Sequence, residues 1–284
     1  LPGQDPANEN RKREAITSAV VGGLLTGGLA WAMLHLGCQQ VEMVLPKPFW
    51  WQGRVIFHAV LLWLLLAATI TDLRDYLIPD QITIPGVFIG VTAATLSGQL
   101  QMMHLGMDWN EPLAQLPGEY IPEWIKAHRH WHGLAWSLTG LAVGAGLTVL
   151  VRWSSAVILG RQALGFGDVT LMAMIGSFLG WQPTVCVFVL APICGIVLAM
   201  GTWLITGRGF VPYGPYLAVA TVVVLFTWRW IWEPLRLTFG DAKSLAILAA
   251  AAVGSLVFLL FLLRLYWSIP IEGDRRTSDP TEND

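Results

Sequence analysis

Charge is scarce in this chain. Asp, Glu, Lys and Arg together make up 13% of its 284 residues, about half of the roughly 25% found in ordinary soluble domains. Residues 169–207 hold no charged side chain at all. A soluble helical core needs polar faces at helical period, and these runs have none, so a large soluble bundle is excluded. Cysteine is nearly absent as well. Cys38, Cys186 and Cys194 have no metal-ligand spacing and lie in or beside apolar runs, which suits buried small hydrophobes. A net charge of −2 offers no basic surface for a nucleic-acid partner. No internal repeat is visible.

Apolar length is what the chain does have. Hydrophobic residues make up 55% of it, and about 20 consecutive apolar residues suffice to cross the hydrocarbon layer of a bilayer. The expected fold is therefore all-α and polytopic, with about eight transmembrane helices, near 15–37, 55–71, 82–99, 133–151, 169–181, 184–206, 212–229 and 244–266. Several of the 15 tryptophans stand at the ends of these runs (Trp50, Trp51, Trp181, Trp228, Trp230, Trp232 and Trp267), where indole rings settle at the headgroup level. Arg11, Lys12 and Arg13 precede the first run as in a signal peptide, but that run is too long for a cleaved apolar region and reads as a membrane helix. The chain opens on Leu1 rather than Met, the start expected of a processed or truncated product. Residues 1–14 and 269–284 are expected to be polar, disordered tails around a membrane domain at 15–268, with an extramembrane segment at 100–132. Lys and Arg in alternate connections number ten against seven in favour of a cytoplasmic N-terminus, by the positive-inside rule. On that count the segments holding Asp72 and Asp168 share one face.

Two acidic constellations stand at span ends. The first runs from Asp72 through Leu73, Arg74, Asp75, Tyr76, Leu77, Ile78 and Pro79 to Asp80. Pro79 stops helix continuation, and Pro85 is placed to begin the next span. The second is Gly165-Phe166-Gly167-Asp168 at the opening of the fifth span, where the glycines allow a tight path and close approach. Read singly, the first is an interfacial loop whose charges meet water, and the second an Asp at a helix start. Read together, two carboxylates on one membrane face can converge on one water. One ionised group would activate it, and one protonated group would polarise a carbonyl. Asp168 lies at a helix start and Asp72 at a helix end, so the dipoles favour charge on Asp168 and disfavour it on Asp72. Arg74, two residues on, would favour charge on Asp72 if it folded back.

These motifs resemble those of the type IV prepilin peptidases, or leader peptidases, relatives of the preflagellin peptidases. The first catalytic Asp of that family opens a D-[LI]-x-x-x-x-I-P-[DN] segment, matched by Asp72 through Asp80, and the second ends a G-x-G-D motif, matched by Gly165, Gly167 and Asp168. Leu171, Gly176, Gly180 and Trp181 are similar to a following L-x-x-x-x-G-x-x-x-G-W run, and Pro212, Tyr213, Gly214, Pro215 and Leu217 to a later P-[FY]-G-P-x-L segment. The likeness covers roughly 55–230. It implies a membrane-embedded aspartyl endopeptidase that removes the short basic leader of prepilin-like proteins at the cytoplasmic face of the inner membrane. Asp72 and Asp168 would be catalytic, and Gly165, Gly167, Pro79, Asp80, Gly214 and Pro215 would support the motifs. The family's bifunctional members carry two Cys-x-x-Cys pairs and a G-S-F-x-N segment, linked with S-adenosylmethionine-dependent methylation. Neither stands in this sequence, so methyltransferase activity is not expected, and neither S-adenosylmethionine nor any other cofactor or metal. The family's Lys two residues after the second Asp is Thr170 here.

Two other readings fit carboxylates in a membrane chain: an ion-coupled transporter, and an inactive scaffold of a pilus or secretion system. A transporter would place its acids near mid-bilayer, often in duplicated halves; here both stand at span ends. His128, His130 and His132 alternate beside Arg129 without an acidic partner, a pattern of an interfacial polar cluster before a metal site. His58 reads as an interior residue, and Asp75 and Asp80 as solvated or supporting groups.

Overall fold

In lipid every backbone N–H and C=O must be satisfied within the chain, and an uncharged run does this as a helix. The computed structural model describes residues 6–41, 44, 46–105, 123–206 and 212–268. Its helices are α1 (Pro6–Trp31), α2 (Pro48–Asp75), α3 (Asp80–Ser97), α4 (Glu123–Ala127), α5 (Arg129–Leu159), α6 (Phe166–Leu179), α7 (Trp181–Thr206), α8 (Gly214–Gly240) and α9 (Ala242–Ser268). A π-helical turn, Ala32–Leu36, follows α1 and ends at left-handed Gly37. Among the described residues the sole β-pairing is an isolated bridge between Val41 and Val44.

Each expected span falls on a helix, but not every helix is a full span. Among the described residues six are long and apolar enough to cross a membrane, in α1, α2, α5, α7, α8 and α9. The count of about eight is thus lowered by α3, which has 18 residues and misses that mark, and by α6, with 14. At 1.5 Å per residue, α6 reaches only about 21 Å, short of a hydrocarbon layer of about 30 Å. The expected N-terminal tail is helical from Pro6. The third span starts earlier than Pro85, at Asp80, and Pro85 lies inside α3. Residues 106–122 and 269–284, with most of the expected extramembrane segment and all of the C-terminal tail, lie outside the described residues.

Helix α6 is apolar on all sides because it is enclosed. Ten of its 14 residues are buried. α5 and α6 meet backbone to backbone: a Cβ at Gly176 would stand 2.0 Å from the Gly140 carbonyl oxygen. The Ser137 hydroxyl donates to the Ser177 carbonyl at 2.7 Å. Small residues at such seams let helices approach without a side chain between them. α3 presents Gly86 and Gly90 to Met174 and Ser177 of α6, and Phe57 of α2 stacks on Phe178 with centroids 4.6 Å apart. α9 lies at the other extreme, with 0% of its most apolar stretch buried. Such an exposed apolar surface suits lipid, not water.

The tryptophans divide. Trp230 is exposed, Trp50 and Trp51 are half-buried, and Trp181 donates its indole N–H to the Leu105 carbonyl at 2.9 Å. Trp228 and Trp232, also at the end of an apolar run, are buried within the protein. They pack on each other with centroids 5.6 Å apart, and Trp232 stacks on Phe239 at 5.9 Å. α8 continues past the apolar run to Gly240, which brings Phe239 against Trp232.

Candidate active site

The last turn of α2 carries Asp72. Its backbone carbonyl accepts the Tyr76 N–H at 3.0 Å, and Tyr76 takes a left-handed conformation with φ 53° that ends the helix. A non-glycine residue there carries strain of about 1–3 kcal/mol. The reversal turns the chain so that Ile78 is buried beneath the aspartate and Pro79 caps α3 in an extended conformation. Ile78 meets the start of α6: a Cβ at Gly167 would lie 3.0 Å from its Cβ. This close approach seats the second motif against the first.

Asp168 occupies the third position of α6 and is 8% exposed; Asp72 is 5% exposed. The two carboxylates are near enough to interact electrostatically. The Gly165 N–H donates to Asp168 Oδ2 at 2.9 Å, the reach-back half of a capping box. Across the site the Gly214 N–H donates to Asp72 Oδ2 at 3.0 Å. Gly214 opens α8, so Asp72, at the end of its own helix, faces the start of another. This offsets the unfavourable dipole expected at Asp72. Gly214 is also a steric requirement, because a Cβ there would lie 2.4 Å from Asp72 Oδ2. Among the described residues neither Asp72 Oδ1 nor Asp168 Oδ1 has a hydrogen-bond partner. That leaves one oxygen on each carboxylate to exchange protons with a water or a peptide.

Around the pair, Pro215 is buried in the first turn of α8. Arg74 is exposed and lies 3.7 Å from Asp75, so it pairs with that neighbour and does not fold back onto Asp72. Asp80 is exposed in the first turn of α3. Tyr213, just before α8, is close enough to feel the charge of Asp168; burial, and then that charge, push its phenol up to about 12. It therefore remains a neutral donor throughout the physiological range.

The three histidines do not gather. His128 is exposed, the His130 ring pairs with the Thr95 carbonyl at 2.8 Å, and buried His132 accepts the Leu105 N–H at 3.2 Å. Among the described residues no three His, Cys, Asp or Glu are placed to hold a metal ion. His58 is buried in α2 and takes no part in the aspartate pair. Sequence reasoning counted Arg152 only as a charge and named Tyr213 only within a motif, yet Arg152 acts on Asp168 and Tyr213 feels its charge. Their one linear signal is a polar group directly beside an apolar run.

A family model described as the type IV leader peptidase family matches residues 59–109 and 124–200. A prepilin leader peptidase/N-methyltransferase from Aeromonas salmonicida is 28% identical over 169 residues, 58% of this chain and 47% of that protein. One of the same description from Xanthomonas campestris is 30% identical over 183 residues, 63% of this chain and 51% of that protein. A type 4 prepilin-like proteins leader peptide-processing enzyme from Escherichia coli is 30% identical over 125 residues, 39% of this chain and 45% of that protein. The chain thus spans about half the length of the curated relatives it matches. No solved structure matches it. The matched residues hold both Asp72 and Asp168 but stop short of Gly214 and Pro215, of which Gly214 joins the site by contact with Asp72. Motifs, contacts and relatives agree: the chain belongs to the type IV leader peptidase family.

Proposed function

We propose that this chain is a membrane-embedded aspartyl endopeptidase that removes the leader of prepilin-like proteins at the cytoplasmic face of the inner membrane. The observation that carries the reading is the convergence of Asp72 and Asp168. They come from separate helices to one buried place, and each is held through Oδ2 by a glycine N–H. Peptide hydrolysis by two carboxylates needs one as base and one as acid. Asp168, at the start of α6 and beside the cation of Arg152, is the base. It takes a proton from water as the water oxygen attacks the scissile carbonyl. Asp72, from which Arg74 turns away to pair with Asp75, is the acid that protonates the carbonyl oxygen. Collapse of the tetrahedral intermediate breaks the C–N bond: the proton on Asp168 passes to the leaving amine, and a hydroxyl proton of the intermediate returns to Asp72, which restores both carboxyls to their starting states. The carboxylates supply every proton transfer, so this cleavage uses no cofactor, and S-adenosylmethionine has no part in it.

The substrate class follows from the relatives, whose names specify prepilin leaders; the bilayer surrounds both partners. Co-expression of the protein with candidate prepilins tests the reading. Wild type should shorten one of them by its leader, and Asp168→Ala at equal abundance should leave it intact. Equal processing with and without Asp168 would refute the assignment.

A further inference from the structure

We infer that Arg152 is a positioning residue for Asp168, acting through the single peptide unit that joins Leu164 to Gly165. The inference rests on the reading of Asp168 as the group that activates water. Arg152 lies on α5, two turns before its end, and its Nη1 donates to the Leu164 carbonyl. The other side of that same peptide is the Gly165 N–H, which donates to Asp168 Oδ2 at 2.9 Å. A peptide unit is planar and rigid. Fixing the direction of its C=O therefore fixes the direction of its N–H.

Two further facts make this contact more than incidental. The Gly165 N–H makes the sole hydrogen bond to the Asp168 side chain among the described residues, yet it belongs to a connection, 160–165, that is largely exposed. Exposed backbone with few packed neighbours opens readily, so its orientation needs a tether. α5 supplies two. The Ser155 Oγ accepts the Ala163 N–H at 3.0 Å and donates to the Arg152 carbonyl at 2.9 Å, which folds the connection back along α5. Arg152 then holds the last peptide before α6. Both contacts of that peptide are charge-assisted, a class shorter and roughly twice as strong as neutral ones. A cation on the carbonyl also polarises the amide, so the N–H becomes a better donor to the carboxylate beyond it. Arg152 and Asp168 do interact electrostatically. The cation thus favours the ionised base and aims the donor that holds it, without touching substrate.

The test compares wild type, Arg152→Gln and Arg152→Lys in detergent, with a leader-bearing prepilin and with no substrate at all. Arg152→Gln should lower kcat by at least about tenfold, the effect of losing one charge-assisted hydrogen bond, while KM stays within about threefold. The acid limb of its pH–rate profile should move upward by about one unit. Arg152→Lys should recover much of the loss by restoring the charge. Without substrate, hydrogen exchange in peptides covering 160–166 should speed up about tenfold in Arg152→Gln, as in Asp168→Asn, while α7 is unchanged. If the glutamine variant does not accumulate, Arg152→Lys is read alone, and should show faster exchange than wild type and a smaller displacement of the acid limb. If wild type cleaves no prepilin, the peptidase reading fails, and exchange still decides the role of Arg152. Wild-type exchange and, where cleavage occurs, a wild-type pH profile in both variants would overturn the inference.

Discussion

At the scale of single residues, the pair of aspartates depends on what glycine permits. Gly214 can bring its N–H to Asp72 only because no Cβ intervenes. Gly214→Ala should push the carboxylate aside and reduce leader cleavage on the order of 100-fold, the usual effect of a displacement near 1 Å at reacting groups. Cleavage assays at matched protein abundance check this, and unaltered activity would contradict the contact. Asp75→Asn should leave most activity in place, since Asp75 is exposed and pairs with Arg74. The aspartates were legible in the sequence because two motifs, at the right order and spacing, carry more information than two acidic side chains. Gly214 and Pro215 were legible as a motif, though not as a partner of Asp72. Arg152 was not, and Tyr213 only within its motif, because their nearness to Asp168 arises from contacts across helices that linear spacing does not encode. The same holds for the charge state of Asp72: its own helix end was visible in sequence, but the start of α8 that faces it was not.

At the scale of elements, charge gaps located every helix that builds the bundle, while helix ends proved less visible. α5 and α8 run past their apolar stretches, through Arg152 and through Arg229, Glu233 and Arg236, because a helix needs no apolar side chains once it leaves lipid. The short length of α6 was concealed by its composition, which is as apolar as that of a full span because protein, not lipid, surrounds it. The seams that hold α6 were present as glycines four apart, Gly86 with Gly90, Gly140 with Gly144, and Gly176 with Gly180, a spacing that marks close helix contacts. Gly176→Ala should force α5 and α6 apart, because its Cβ would meet the Gly140 carbonyl oxygen. The expected destabilisation is about 1–3 kcal/mol, as for other overpacked interiors, with a lower melting temperature in detergent and reduced cleavage as Asp168 shifts. An unchanged melting temperature would show that the seam yields without strain.

At the scale of the whole molecule, three helix ends meet at one level of the bundle: the end of α2 and the starts of α6 and α8. That convergence could not be derived from span counting alone, which required only that Asp72 and Asp168 share a face. Shared sidedness is open to labelling once Cys194, the half-buried one of the three cysteines, is replaced by Ser. Single cysteines at Tyr76 and Gly160 should react with an impermeant maleimide only from the cytoplasmic side, and one at Glu119 only from the other. Reaction of positions 76 and 160 from opposite sides would break the common site. The central claim, that this pair of carboxylates hydrolyses a leader peptide, is tested most directly with purified protein in liposomes and a leader-bearing prepilin, with mass spectrometry of the products. The account predicts release of the leader by wild type, and a fall of at least about 100-fold in both Asp72→Asn and Asp168→Asn, which keep the shape of the side chain but not its proton chemistry. Leader release at the wild-type rate by either variant would contradict it.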